Sequence, residues 1–121
     1  MTKIRKTIPS KISVGGQTIK VEFVDRLEGC CQLGECSTTG NYIKIAETTE
    51  NMSQSNQSKR RSFWHEVTHL ILDAMGEYKL NSNEKFICCF SSFLNEATKN
   101  CVFLEEEENG GLTYEEFDKQ D

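Results

Sequence analysis

Histidine is scarce in this chain of 121 residues: it occurs at positions 65 and 69 only. Long apolar runs are missing altogether. None approaches the ~18–20 residues that a helix needs to cross a bilayer, which excludes a membrane-spanning helix. The basic start, MTKIRKTIPSKI, lacks the apolar stretch of a secretory signal and does not read as one. C-x-x-C spacing is missing too, which counts against a second metal site among the six cysteines. With no signal and enough chain to build a core, the expectation is reduced thiols in the cytoplasm, with Cys89 facing the core as a small hydrophobe. No internal repeat is present, and no basic patch interleaved with aromatics.

The net charge of −5 conceals an asymmetry. Residues 1–61 carry ten Lys/Arg against six Asp/Glu, and residues 62–121 carry four against thirteen. The acidic half would repel a phosphate backbone, so nucleic acid is not an expected partner. The length suits one domain with a single modest core. Its expected extent is 1–104, followed by an acidic, glycine-broken, mobile tail over 105–121 with Leu112, Tyr114 and Phe117 as docking points.

Strand patterns come first. Residues 11–24, KISVGGQTIKVEFV, alternate around a GGQ turn and read as a hairpin, with Ile12 and Val14, then Ile19, Val21 and Phe23, each on one face. Residues 25–40 read as a loop holding at most one short strand. Residues 41–47, NYIKIAE, alternate again as a strand. Ser53, Ser55 and Ser58 then compete to cap a helix over about 57–75, with Phe63, Val67, Leu70, Ile71 and Ala74 at core spacing and Gly76 as its C′ residue. A second helix is expected over about 82–98 with Phe86, Phe90, Phe93, Leu94 and Ala97 as its core stripe. Residues 101–104, CVFL, suit a last strand or a helix extension. Strands followed by two helices make an α+β fold, a small sheet packed on a helix pair.

The two histidines lie in HEVTH, residues 65–69, inside the first helix. Positions four apart on a helix differ by about 40° around the axis and about 6 Å along it. His65 and His69 therefore share a face at the separation at which two imidazoles can hold one zinc ion, and Glu66 falls beside that ion without ligating it. A carboxylate there suits a general base that takes a proton from an activated water. The sequence matches H-E-x-x-H, the metalloprotease signature. The plainer reading is an amphipathic helix with incidental histidines, and the apolar, strongly helical surroundings favour the metal site.

Catalytic zinc takes three protein ligands. With no third histidine, the third must be a carboxylate or a cysteine. Asp73 lies too far along the helix. Glu84, Cys88 and Glu77 remain as candidates, and Glu84 has a competing role as the partner of Asn81 in a capping box.

Residues 65–94, HEVTHLILDAMGEYKLNSNEKFICCFSSFL, resemble the small phage and prophage metallopeptidase-like proteins related to the ImmA/IrrE group. There a histidine–glutamate helix is followed by a second helix that opens with a ligand glutamate, and NEKFICCFSSFL puts Glu84 in that position. The resemblance extends weakly upstream to about residue 19. It implies a minimal zincin-like fold, one Zn²⁺ held by His65, His69 and Glu84, Glu66 as general base, and a regulatory or host defence protein as substrate. It also implies an edge strand beside the metal that pairs with extended substrate, for which residues 42–47 are the strand nearest the active helix. Tyr42, Tyr78 and Tyr114 are candidates to polarise the substrate carbonyl. The chain departs from larger family members in its shortness, its cysteines and its acidic tail, and it carries no fused helix-turn-helix. The rival function is a non-catalytic module of the same fold that docks a host protein. Small size favours it, and the intact Glu66 favours the enzyme.

Overall fold

The computed structural model describes residues 8–29, 32–50, 52–106 and 112–115. The fold is mixed α+β. Strands β1 (Lys11–Val14) and β2 (Gln17–Val24) form an antiparallel hairpin in register Val14↔Gln17. Gly15 and Gly16 occupy its two-residue turn with φ of 59° and 81°. Positive φ at both positions matches the twist of the flanking strands. Gly15 is also a close approach, since a Cβ there would lie 3.1 Å from the Cβ of Ala74.

Strand β3 (Gly34–Ser37) arises from the segment expected to be mainly loop, and β4 (Tyr42–Ala46) follows it. The sheet order is β1-β2-β4-β3, with β4 parallel to β2 and antiparallel to β3. Residues 42–47 are therefore not an edge. β4 is hydrogen-bonded on both sides, and Ile43, Ile45 and Ala46 are fully buried. The edge on that side is β3. Ala46 donates its N–H to Leu33 O, which sets the pairing phase so that Glu35 and Ser37 exchange bonds with β4. The backbone groups of Gly34 and Cys36 then point away from the sheet. The Gln32 side chain donates to Gly34 O from that open side.

A short ribbon, β5 (Thr48–Thr49) with β6 (Met52–Ser53), leads to α1 (Asn56–Met75). Ser55 is the cap, its side chain accepting from Ser58 N. Buried Gln54 fixes the entry: its Nε2 donates to Ala46 O, and its Oε1 accepts from the hydroxyls of Ser58 and Ser62. The helix ends at Gly76 (φ 76°), with Gly76 N donating to Asp73 O and Glu77 N to Leu72 O. That is the Schellman closure, which glycine accommodates without strain. Phe63, Val67 and Leu70 pack on Ile19, Val21, Ile43 and Ile45. Ala74 is exposed rather than core, and Phe23 lies half out of the core beneath the Lys59 ammonium.

One turn of helix, α2 (Tyr78–Asn81), separates α1 from α3 (Glu84–Lys99), which packs back on α1. Asn83, not Asn81, caps α3 by accepting from Phe86 N. The core stripe of α3 also differs from expectation. Ile87 and Ser91 are buried, whereas Phe90 and Phe93 face solvent. Both faces of this helix carry apolar residues, and spacing alone does not say which one meets α1. Cys88 and Cys89 are exposed, so Cys89 is not a core residue; with Cys36 and Cys101 they are free thiols. Cys30, Cys31 and Phe117 lie outside the described residues. β7 (Phe103–Glu106) and β8 (Leu112–Glu115) pair antiparallel, so part of the segment expected to be a mobile tail is a hairpin backbone. Among the described residues no helix is long and apolar enough to cross a membrane.

Candidate metal centre

His65 and His69 project from α1 toward the start of α3, with ring centroids 5.0 Å apart. Glu84, in the first turn of α3, closes the group. Its Oε2 lies 3.4 Å from His65 Nε2, and its Oε1 lies 3.3 Å from His69 Nε2. The ligand atoms of the three residues fall within 4.8 Å of one another, so the group could hold a metal ion. The spacing is itself informative. Two ligands bound tetrahedrally at about 2.0–2.1 Å from one ion stand about 3.3 Å apart. The two histidine–glutamate separations, each to a different oxygen of Glu84, are of that size. Both imidazoles are partly buried and Glu84 is largely exposed, so the group is rooted in the helix pair and open to solvent on one side.

The orientation of His69 is set from behind. Its Nδ1 lies 2.6 Å from Asn81 Oδ1. An amide oxygen only accepts, so Nδ1 carries the proton and Nε2 presents its lone pair toward Glu84 and any bound ion. This role of Asn81 was not legible in the sequence. Asn81 and Glu84 have capping-box spacing, and no signal distinguishes a cap from a histidine partner contributed by a one-turn connector.

Glu66 points elsewhere, toward the sheet edge. A Cβ on Gly34 would lie 3.4 Å from both Cγ and Oε2 of Glu66, and the half-buried Cys36 thiol is near enough to feel the carboxylate's charge. Burial pushes the Glu66 carboxyl above its ordinary pKa. The Cys36 thiol and the two histidines oppose that push, and Glu84 adds to it. Burial also drives the Cys36 thiol well above its usual value, reinforced by the charge of Glu66. Cys36 thus keeps its proton. A carboxyl whose pKa is raised by burial, beside two imidazoles and below an open strand edge, is placed to exchange protons with a group bound there. Gly34 and Cys36 were missed in the sequence because their segment shows no alternation.

The other candidates lie apart. Glu77 and Cys88 are exposed, and neither belongs to the converging group, nor does Asp73. The Tyr42 hydroxyl donates to Glu35, and Tyr78 is open to solvent; the Tyr114 side chain lies outside the described residues. No family model, curated protein or solved structure matches this chain, so a functional reading rests on the chemistry of these residues.

Proposed function

We propose that the protein is a zinc-dependent metallopeptidase with a minimal zincin-like fold. In this reading His65, His69 and Glu84 hold one zinc ion and Glu66 is the general base. The observation that carries it is the convergence of two Nε2 atoms on one carboxylate, with a buried glutamate next to the first ligand in sequence. Two imidazoles and a carboxylate are a donor set that suits catalytic zinc, and they leave a position for water or substrate. When bound, zinc supplies Lewis acidity, polarising a peptide carbonyl and lowering the pKa of a water toward about 7.

The remaining work belongs to the chain. Glu66 takes a proton from the attacking water on its carboxylate and returns it to the departing amine. Burial favours its neutral form and so helps it hold the proton between the two steps. Asn81 holds the tautomer of His69. The outward N–H and C=O groups of Gly34 and Cys36 offer an extended peptide a strand to pair with, directly above Glu66. A substrate N–H would replace Gln32 at Gly34 O. The resemblance to the ImmA/IrrE group points to a phage or prophage protein acting in the host cytoplasm on a repressor or defence protein.

Zinc content of the purified chain, with His65→Ala as control, tests the metal. Cleavage of candidate host proteins by the wild type and by Glu66→Gln tests the chemistry. One zinc per chain, lost in His65→Ala, together with cleavage lost in Glu66→Gln, is the expected result. Biological function that survives in Glu66→Gln would refute catalysis and favour a docking module.

A further inference from the structure

The face of α3 turned away from α1 is apolar and uncovered. Phe86, Phe90, Phe93 and Ala97 recur at intervals of four, three and four, the spacing of a seam that packs on another helix. Phe86 and Phe90 stack with centroids 5.6 Å apart. Phe90 is 46% exposed and Phe93 71%. Isolated exposed hydrophobes are ordinary, but a contiguous aromatic run at helix-pairing spacing marks a surface that another molecule covers.

We propose that the occupant is a second copy of this chain, its α3 packed antiparallel on the first about a two-fold axis midway between Phe90 and Phe93. Self-complementarity of the stripe is one argument. Under that axis Phe90 of each copy meets Phe93 of the other, and Phe86 meets Ala97, ring against ring at the centre and large against small at the ends. Charge is the second argument. Lys85 and Glu96 lie eleven residues apart, three helical turns, and so flank the stripe on the same side. Neither forms an ion pair among the described residues. The two-fold axis brings Lys85 of one copy within about two residues, ~3 Å of helix rise, of Glu96 in the other, and it does so twice. A parallel pairing would place the two copies of this flank on opposite sides of the seam, and Lys85 would not meet Glu96. Phe90 and Phe93 expose roughly 200 Å² of ring per copy, and the flanking stems add about as much again. The pair then buries roughly 800 Å², the range of weak, transient interfaces. That size corresponds to a dimer of micromolar affinity that exchanges with monomer.

Sedimentation velocity on the full chain, from about 1 to 300 µM, reads the equilibrium directly. The expected result is a concentration-dependent dimer. Phe93→Glu should be monomeric throughout while keeping its helical circular dichroism and unfolding midpoint, because that side chain already faces water. Lys85→Glu and Glu96→Lys should each weaken dimerisation by about tenfold, and the two together should restore it. A chain that stays monomeric at the highest concentration overturns the proposal, whether its own tail or a foreign protein covers the stripe. So does a dimer that is indifferent to Phe93→Glu. Failure of the double charge exchange to restore association overturns the antiparallel arrangement.

Discussion

Replacing Asn81 by alanine tests the metal centre without touching a ligand. In the structure the Asn81 amide oxygen accepts from His69 Nδ1 at 2.6 Å, next to an imidazole that is only 21% exposed. Loss of that acceptor removes a hydrogen bond worth about 0.5–1.5 kcal/mol net and frees the ring to adopt the tautomer whose Nε2 carries the proton. Residues that orient a metal-bound histidine in this way typically contribute 10–100-fold to metal affinity. Because the group opens to solvent, water can replace the amide, which places Asn81→Ala at the low end, about tenfold or ~1.4 kcal/mol. Asn81→Leu keeps water out and should cost more. Asn81→Asp supplies a stronger acceptor and should bind zinc at least as tightly as the wild type. Competition against a chromophoric chelator at constant pH gives the three dissociation constants, with circular dichroism as the control for folding. If Asn81→Ala and Asn81→Leu both bind zinc within about twofold of the wild type, the hydrogen bond does not orient His69 and the account of the site is wrong.

Three further outcomes follow from the same geometry. The Glu66 carboxyl is raised, chiefly by burial, so the folded metal-free chain holds that proton more tightly than the unfolded one. Its contribution to stability is present below the unfolded pKa and is lost as pH rises through the folded pKa. Metal-free Glu66→Gln should therefore be more stable than wild type at neutral pH, with the gap closing on acidification; urea unfolding across pH 4–8 shows it, and a gap that grows toward acid would refute it. Among Cys36, Cys88, Cys89 and Cys101, the exposed Cys88 and Cys89 should react first with iodoacetamide and Cys36 last, since burial and Glu66 keep its thiol protonated. Peptide mass mapping reports the order, and early modification of Cys36 would contradict the burial that keeps its thiol protonated. Phe63, wholly buried at the centre of the core, should cost about 3–5 kcal/mol as Phe63→Ala, a large share of what a domain of this size has. A denaturation midpoint close to wild type would place the core elsewhere.

The histidine helix was legible because geometry and chemistry repeat together: one turn separates His65 from His69, and Gly76 stops the helix where a left-handed residue is needed. The hairpin around Gly15 and Gly16 was legible for the same local reason. Misreadings arose where a residue had two apolar or two polar neighbours to choose from. α3 carries Phe86, Phe90 and Phe93 on one side and Ile87 on another, and burial goes to the smaller set because α1 approaches from there. Asn81 and Asn83 both precede α3, and only the tertiary position of His69 decides which one caps. The short strand allowed for in residues 25–40 could not be placed from sequence because Gly34, Cys36 and Ser37 have little intrinsic strand preference, so pairing with β4 defines it as β3. With β3 unplaced, β4 could be taken for an edge; its pairing on both sides makes it an inner strand.

The open side of β3 has a second consequence. A row of unpaired backbone groups invites any extended chain, including a misfolded copy of this one, and proteins that keep such an edge have to limit it. Here the edge is four residues long and includes a glycine and the charged Glu35, and Gln32 occupies one of its acceptors. The opposite edge, β1, is equally short and begins with a lysine. An edge of this length gives a bound strand only a few backbone bonds. A fibril would need longer pairing to grow, so the brevity of β3 resists aggregation while leaving room for one short extended segment to pair and leave.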